Sequence, residues 1–197
     1  WWNELFGDSK FFDPGKYFMV CANILGSCYG TKSPSFKDNC SAKKNLSDIP
    51  VITIRDMVSA REMLREHLKI SQIAFGIGGS MGGYQIMEWA VQKPELFNRL
   101  VLLSTSVQES PWGIAIHESQ RLAIQADPSF RQEGGEAGAK GLKAARGIGM
   151  LTYRNYKLYG KQQADSEEKI TNHKAASYIQ YQGEKLVKRF DAMSYWC

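Results

Sequence analysis

The sequence predicts an α/β fold: a parallel sheet with flanking helices over residues 1–106, followed by a helical region over residues 107–197. Three observations carry this reading. Strand-like and helix-like apolar patterns alternate between residues 17 and 105. A glycine-rich turn, Gly76-Ile-Gly-Gly-Ser-Met-Gly-Gly83, joins a strand pattern to a helix pattern. No strand pattern of any strength occurs after residue 106.

The elements follow in order. Tyr17 to Leu25 is a continuous apolar run between Pro14-Gly15 and Gly26, which predicts a buried strand of a parallel sheet. Residues 30–50 are rich in Ser, Lys, Asn, Gly and Pro and predict a surface loop. Thr53 to His67 carries Ile54, Met57, Val58, Met63 and Leu64 on one side, followed by Leu68, and predicts a helix. Thr53 is its candidate N-cap, with Asp56 as an acidic variant of the capping box. A second strand is expected over 71–77, running through Ile73-Ala74-Phe75 into the glycine turn. The next helix ends at Lys93, before Pro94. Arg99 to Thr105 is the third strand. Strand, helix, strand at this spacing gives right-handed parallel connections. Beyond Ser106, helices are expected over 112–125, 142–153 and 177–194. A glycine-rich loop over 131–141 and a polar stretch over 161–174 separate them.

The chemistry concentrates at Gly78-x-Ser80-x-Gly82. A serine on so tight a strand-to-helix turn is held above the sheet, at the positive end of the following helix. Glycines two before and two after the serine are expected to keep side chains out of crowded space. Ser80 is the candidate nucleophile, and the backbone N–H of Met81 is the candidate oxyanion donor.

Composition narrows the function. The 197 residues are 43% hydrophobic and 23% charged, with a net charge of +5. The basic residues are scattered, with adjacent pairs only at Lys43-Lys44 and Lys188-Arg189. No nucleic-acid surface is expected. No apolar run approaches membrane-spanning length. Cysteines at 21, 28, 40 and 197 form no Cys-x-x-Cys pair and lie near no histidine at ligand spacing, so no metal site is expected. Cys21 is expected to be a buried thiol, and the cysteines to be reduced.

Further segments resemble the homoserine O-acetyltransferase family of the α/β-hydrolase superfamily. They are residues 17–30, 48–57 and 78–83, with Glu88-Trp89-Ala90, Gln120-Arg121, Ala126-Asp127-Pro128, Ala145-Arg146, Leu151-Thr152-Tyr153, Tyr181-Gln182-Gly183, Arg189-Phe-Asp-Ala192 and Ser194-Tyr195. The likeness runs along essentially the whole chain. It implies a partial α/β-hydrolase core with its nucleophile elbow over 1–106 and a helical lid over 107–197. It implies that Ser80 takes an acetyl group from acetyl-CoA, a substrate rather than a cofactor, and passes it to L-homoserine in methionine biosynthesis. Arg146 would hold the acceptor's carboxylate, with Tyr153 beside it. An arginine fork suits a carboxylate, and a seven-residue spacing places both side chains on one helix face. A cytoplasmic homodimer is implied.

The chain departs from the family at Gly30-Thr31-Lys32-Ser33-Pro34, and around Arg146 at Gly147 and Met150. The chain begins Trp1-Trp2-Asn3, without initiator methionine or signal peptide, and ends on Cys197. It is therefore expected to be an internal piece, with the triad's acid and histidine after the lid and the second oxyanion donor before Trp1. A partial sheet is expected to expose apolar surface. His67 is expected to cap a helix end, and neither His117 nor His173 lies in a triad motif. Asp127-Pro128 is expected to be a helix stop. Three functions remain open on the residues alone: acyl transfer, hydrolysis with the same elbow, and a non-catalytic module.

Overall fold

The computed structural model describes residues 3–31, 51–132 and 136–197. Most of the expected 30–50 loop, and Cys40 with it, lies outside the described residues, as do residues 133–135 of the 131–141 loop.

Helix α1 (Ile54–His67) begins where the sequence places it. The Thr53 hydroxyl accepts from the Asp56 N–H at 3.2 Å, and the Asp56 carboxylate accepts from the Thr53 N–H at 2.8 Å. Two N–H groups that the first helical turn leaves unpaired are thereby satisfied. Strand β1 (Gly76–Gly79) leads into helix α2 (Met81–Gln92), which ends against Pro94 in a short 3-10 turn, Pro94–Leu96. Strand β2 (Leu100–Leu103) runs parallel to β1, with Gly76 opposite Leu100 and Gly79 opposite Leu103.

The expected strand over 71–77 is thus shorter and later. Ile73 makes only an isolated bridge to Phe97 before the ladder starts at Gly76. The expected strand over 17–25 does not form among the described residues. Apolar side chains supply a reason to bury the segment, but a strand also requires a neighbouring backbone to pair with. This segment instead lays the Tyr17 ring edge-on to Phe75, at 5.7 Å, and offers the Ala22 carbonyl to the Arg61 guanidinium at 3.4 Å. Phe18 remains 76% exposed, and Cys21 is exposed rather than buried.

Among the described residues, four further helices and a short fifth follow: α3 (Pro111–Gln125), α4 (Ala139–Thr152), α5 (Tyr156–Gln163), α6 (Lys174–Val187) and α7 (Ala192–Trp196). Ser110 caps α3 by accepting from Gly113 N–H, and Pro111 takes the first helical position, where no donor is needed. Helix α5 lies partly in the stretch expected to be irregular; Asn155 caps it. The single helix expected over 177–194 is two. Asp191 sits in an extended conformation, and its carboxylate accepts from Ser194 N–H at 2.7 Å, which restarts the chain as α7.

Two buried clusters form among the described residues. Val58, Trp89 and Leu96 close the first, between α1 and α2, with Ile73 and Phe97 packed on it. Ile124, Phe130, Leu142, Ala145, Leu186 and Ala192 close the second, among α3, α4, α6 and α7. Helix α4 comes close to α3 because Gly141 has no side chain: a Cβ there would lie 2.6 Å from Ile124 Cα. Leu100, Leu102 and Leu103 of β2 stay exposed, the apolar surface expected of a partial sheet.

A candidate acyl-transfer site

Ser80 stands between β1 and α2 with φ 53° and ψ −123°. A non-glycine residue there is strained by its own Cβ, and surrounding structure must hold it. The holding bonds are visible. Ser80 N–H donates to the Leu103 carbonyl at 2.9 Å, which continues the β1–β2 ladder by one residue. The Ser80 carbonyl accepts from Gly83 N–H at 2.8 Å, the first bond of α2. Pinned on both sides, the residue turns its side chain outward and is exposed. Its hydroxyl makes no capping bond to the helix. Met81 is the first residue of α2, so its N–H has no partner within the helix.

The glycines do not all serve as the motif suggests. A Cβ on Gly78 would lie 2.2 Å from the Gly82 carbonyl oxygen and 2.6 Å from Gly83 N, so the turn closes only over a bare Cα. A Cβ on Gly83 would lie 2.5 Å from Thr105 Cγ2. At Gly82 a Cβ would meet nothing within 4 Å. The expectation of crowding two residues after the serine is therefore corrected: crowding falls on Gly83, because the third turn residue faces the strand end and the second faces out. The Thr105 hydroxyl beneath Gly83 is buried with no hydrogen-bond partner.

The helix bearing the serine is fastened to α1. Glu62 receives the Trp89 indole N–H at 2.9 Å, the Arg65 guanidinium at 2.8 Å and the Lys93 ammonium at 2.5 Å. These donors, Arg65 foremost, hold the Glu62 carboxyl down at about 2. Gln85, fully buried, accepts from Arg61 at 2.7 Å and donates to the Met81 carbonyl at 3.3 Å. Neither contact has a sequence motif. The buried polar positions among helix-spaced apolar residues were the available signal.

Arg146 and Tyr153 come together on α4. The guanidinium carbon lies 5.7 Å from the Tyr153 ring centroid, a cation–π contact. Tyr153 caps the helix end and is 66% exposed. Arg146 is half-buried, and its Nε is buried without a hydrogen-bond partner. Gly147 and Met150, the departures around it, are buried. No hydrogen bond, ion pair or ring contact among the described residues joins Ser80 to Arg146 or Tyr153.

The histidines are placed elsewhere. His67 is the last residue of α1. His117 Nδ1 lies 2.5 Å from Glu109, and His173 Nδ1 lies 3.0 Å from Asp165. Asp127 is buried and accepts from Ser129 and from Gly141 N–H at 2.9 Å, tying the end of α3 to α4. Among the described residues no three His, Cys, Asp or Glu side chains converge, and no helix is long and apolar enough to cross a membrane.

A family model for the alpha/beta hydrolase fold matches residues 1–134. The chain belongs to the α/β-hydrolase fold family. Over 196 residues it is 46% identical to a homoserine O-acetyltransferase of Cyclobacterium marinum, a match covering all of this chain and 56% of that protein. The chain spans about half the length of the curated relatives it matches. Among solved structures, a homoserine O-acetyltransferase from Bacillus anthracis superposes with a TM-score of 0.87 at 23% identity, over 100% of this chain and 57% of that one. Esterase E22 superposes with a TM-score of 0.84 at 22% identity, over 98% and 58%. At those identities the structures speak for the fold alone, and the fold serves a transferase and an esterase alike.

Proposed function

We propose that this chain carries the nucleophile and the acceptor-recognition residues of a homoserine O-acetyltransferase. The observation that carries the proposal is the 46% identity to such an enzyme along the whole chain, joined to a strained, exposed Ser80 on a strand-to-helix turn. Ser80 Oγ attacks the thioester carbonyl of acetyl-CoA. The oxyanion forms beside the Met81 N–H. The carbon–sulfur bond breaks, and the serine proton leaves with coenzyme A through a general base. His117 and His173 are engaged with acids elsewhere. The L-homoserine hydroxyl then attacks the acetyl-serine ester, its proton passes to the base, and Ser80 is released with O-acetylhomoserine. Arg146 fixes the acceptor's carboxylate through its paired N–H groups, and Tyr153 walls the guanidinium. The helices over 107–197 act as the lid that favours the amino acid over water.

The test uses the protein that carries this chain. Coenzyme A release from acetyl-CoA is followed with and without L-homoserine. Sustained release only with homoserine, lost in Ser80→Ala while the fold is retained, is the expected result. Equal turnover without acceptor would make the protein a hydrolase. Wild-type transfer by Ser80→Ala would remove Ser80 from the reaction.

A further inference from the structure

The α4 face bearing Arg146 and Tyr153 also carries Gly149, three residues after the arginine and four before the tyrosine, so the three lie on one stripe. Gly149 is buried, and a Cβ there would collide with Gln120 Nε2 at 2.6 Å, while meeting the Tyr195 hydroxyl at an ordinary 3.6 Å. The gap is filled from across by the Gln120 amide of α3, and the Tyr195 phenol of α7 sits beside it at ordinary contact distance. The Tyr195 ring is held edge-on to Phe190, at 6.1 Å, and packs against the buried α3–α4–α6–α7 cluster. Burial pushes the Tyr195 phenol up, Tyr153 pushes it further, and the Arg146 guanidinium pulls it back, so both neighbours act on this one hydroxyl. Nothing among the described residues hydrogen-bonds to it. The Arg146 Nε–H, buried without an acceptor, is the matching vacancy on the donor side.

We propose that Tyr195 is a positioning residue of the acceptor site: in the occupied enzyme its hydroxyl accepts from Arg146 Nε–H, so that the guanidinium's two terminal nitrogens meet the substrate carboxylate end-on. The inference rests on the acceptor role assigned to Arg146 above. The physical reason is economy of donors. An arginine fork reads a carboxylate with two parallel N–H bonds, and the third donor direction has to be satisfied by the protein or left buried at a cost. Gly149 leaves α4 bare one turn from Arg146, where the Gln120 amide and, beside it, the Tyr195 hydroxyl come up to the helix. The Tyr153 ring face covers the guanidinium's plane, and Tyr195 addresses its edge.

Substitution of Tyr195 by Phe keeps the ring and its packing and removes only the hydroxyl. The expected result is a rise of about tenfold in KM for L-homoserine, the loss of one hydrogen bond to a charged group. The burst of coenzyme A from acetyl-CoA alone keeps its rate. A double-mutant cycle decides the route of action, because lysine has no Nε–H. Tyr195→Phe in an Arg146→Lys background has no further effect on KM if Tyr195 acts through Arg146. Additive effects of the two changes would overturn the proposal, as would an unchanged KM in Tyr195→Phe. Equal losses in the burst and in KM would mark a structural role and overturn it too. If the unsubstituted protein shows no homoserine-dependent turnover, the functional reading has failed instead, so the two failures are distinguishable.

Discussion

Gly78 and Gly82 flank Ser80 symmetrically in sequence, yet the structure predicts opposite outcomes for Gly78→Ala and Gly82→Ala. At Gly78 the new Cβ would sit 2.2 Å from a carbonyl oxygen, 2.4 Å from its carbon and 2.6 Å from a backbone nitrogen. Ordinary contacts of that kind are about 1 Å longer. All three atoms belong to the first turn of α2, so no side chain can swing away, and the helix start itself must retreat by about that distance. Overpacking of this sort costs about 1–3 kcal/mol. The displacement also moves Ser80 against Leu103, and a misplacement of about 1 Å lowers a reaction rate about a hundredfold. At Gly82 there is open space, and within a helix alanine is favoured over glycine by up to about 1 kcal/mol. Urea denaturation of both variants is the assay. Gly78→Ala is expected to lose stability and Gly82→Ala to keep or gain it. Equal destabilisation by the two would refute the geometric argument and return the explanation to the motif's symmetry.

Three further outcomes are expected. Glu62→Gln should loosen α2 from α1. A carboxyl at about 2 in the folded chain against 4.5 would be worth about 3 kcal/mol unscreened, or about 1–2 kcal/mol with solvent reaching Lys93. Because the folded value is the lower one, that stability is complete above pH 4.5 and is lost as the pH falls toward 2. Denaturation at pH 7 and pH 2.5 should therefore show the variant's deficit shrinking in acid; an equal deficit at both would exclude the charge as its cause. Asp127→Ala should cost about 1–3 kcal/mol by leaving the buried Gly141 N–H without its acceptor, read as a lower denaturation midpoint. Gly83→Ala should destabilise as Gly78→Ala does, and Thr105→Ser beside it should recover part of the loss, since removing Cγ2 removes the 2.5 Å contact.

Much of the fold was legible because its signals are local. Thr53 and Asp56 announce a capped helix, Pro94 ends one, and the glycine turn fixes the start of α2 whatever surrounds it. The apolar run Tyr17–Leu25 misled because hydrophobicity tells of burial, whereas a strand is a relation between two backbones. The break at Asp191 was missed because apolar spacing continues through Phe190 and Tyr195, and the capping carboxylate competes with that rhythm only in three dimensions. At the site, the tight turn at Ser80 and Met81 could be read from its own residues, whereas Arg146 and Tyr153 came from the family resemblance, and helix spacing agreed only that they share a face. Gln85 and Thr105 could not be read, since each contacts a neighbour 20 or more residues away.

The two separate buried clusters bear on how the chain comes apart. One encloses Trp89 on the helix that follows Ser80, and the other encloses Leu142 and Ala145 beside Arg146. Neither core depends on the other's side chains for closure. Each can therefore open as a cooperative unit of its own, with its own free energy. Amide hydrogen exchange should resolve them as two sets of protected sites, Ile86 to Ala90 in one and Leu142 to Met150 in the other. Denaturant then becomes a way to ask whether the cluster beside Arg146 and the turn at Ser80 come apart at different concentrations.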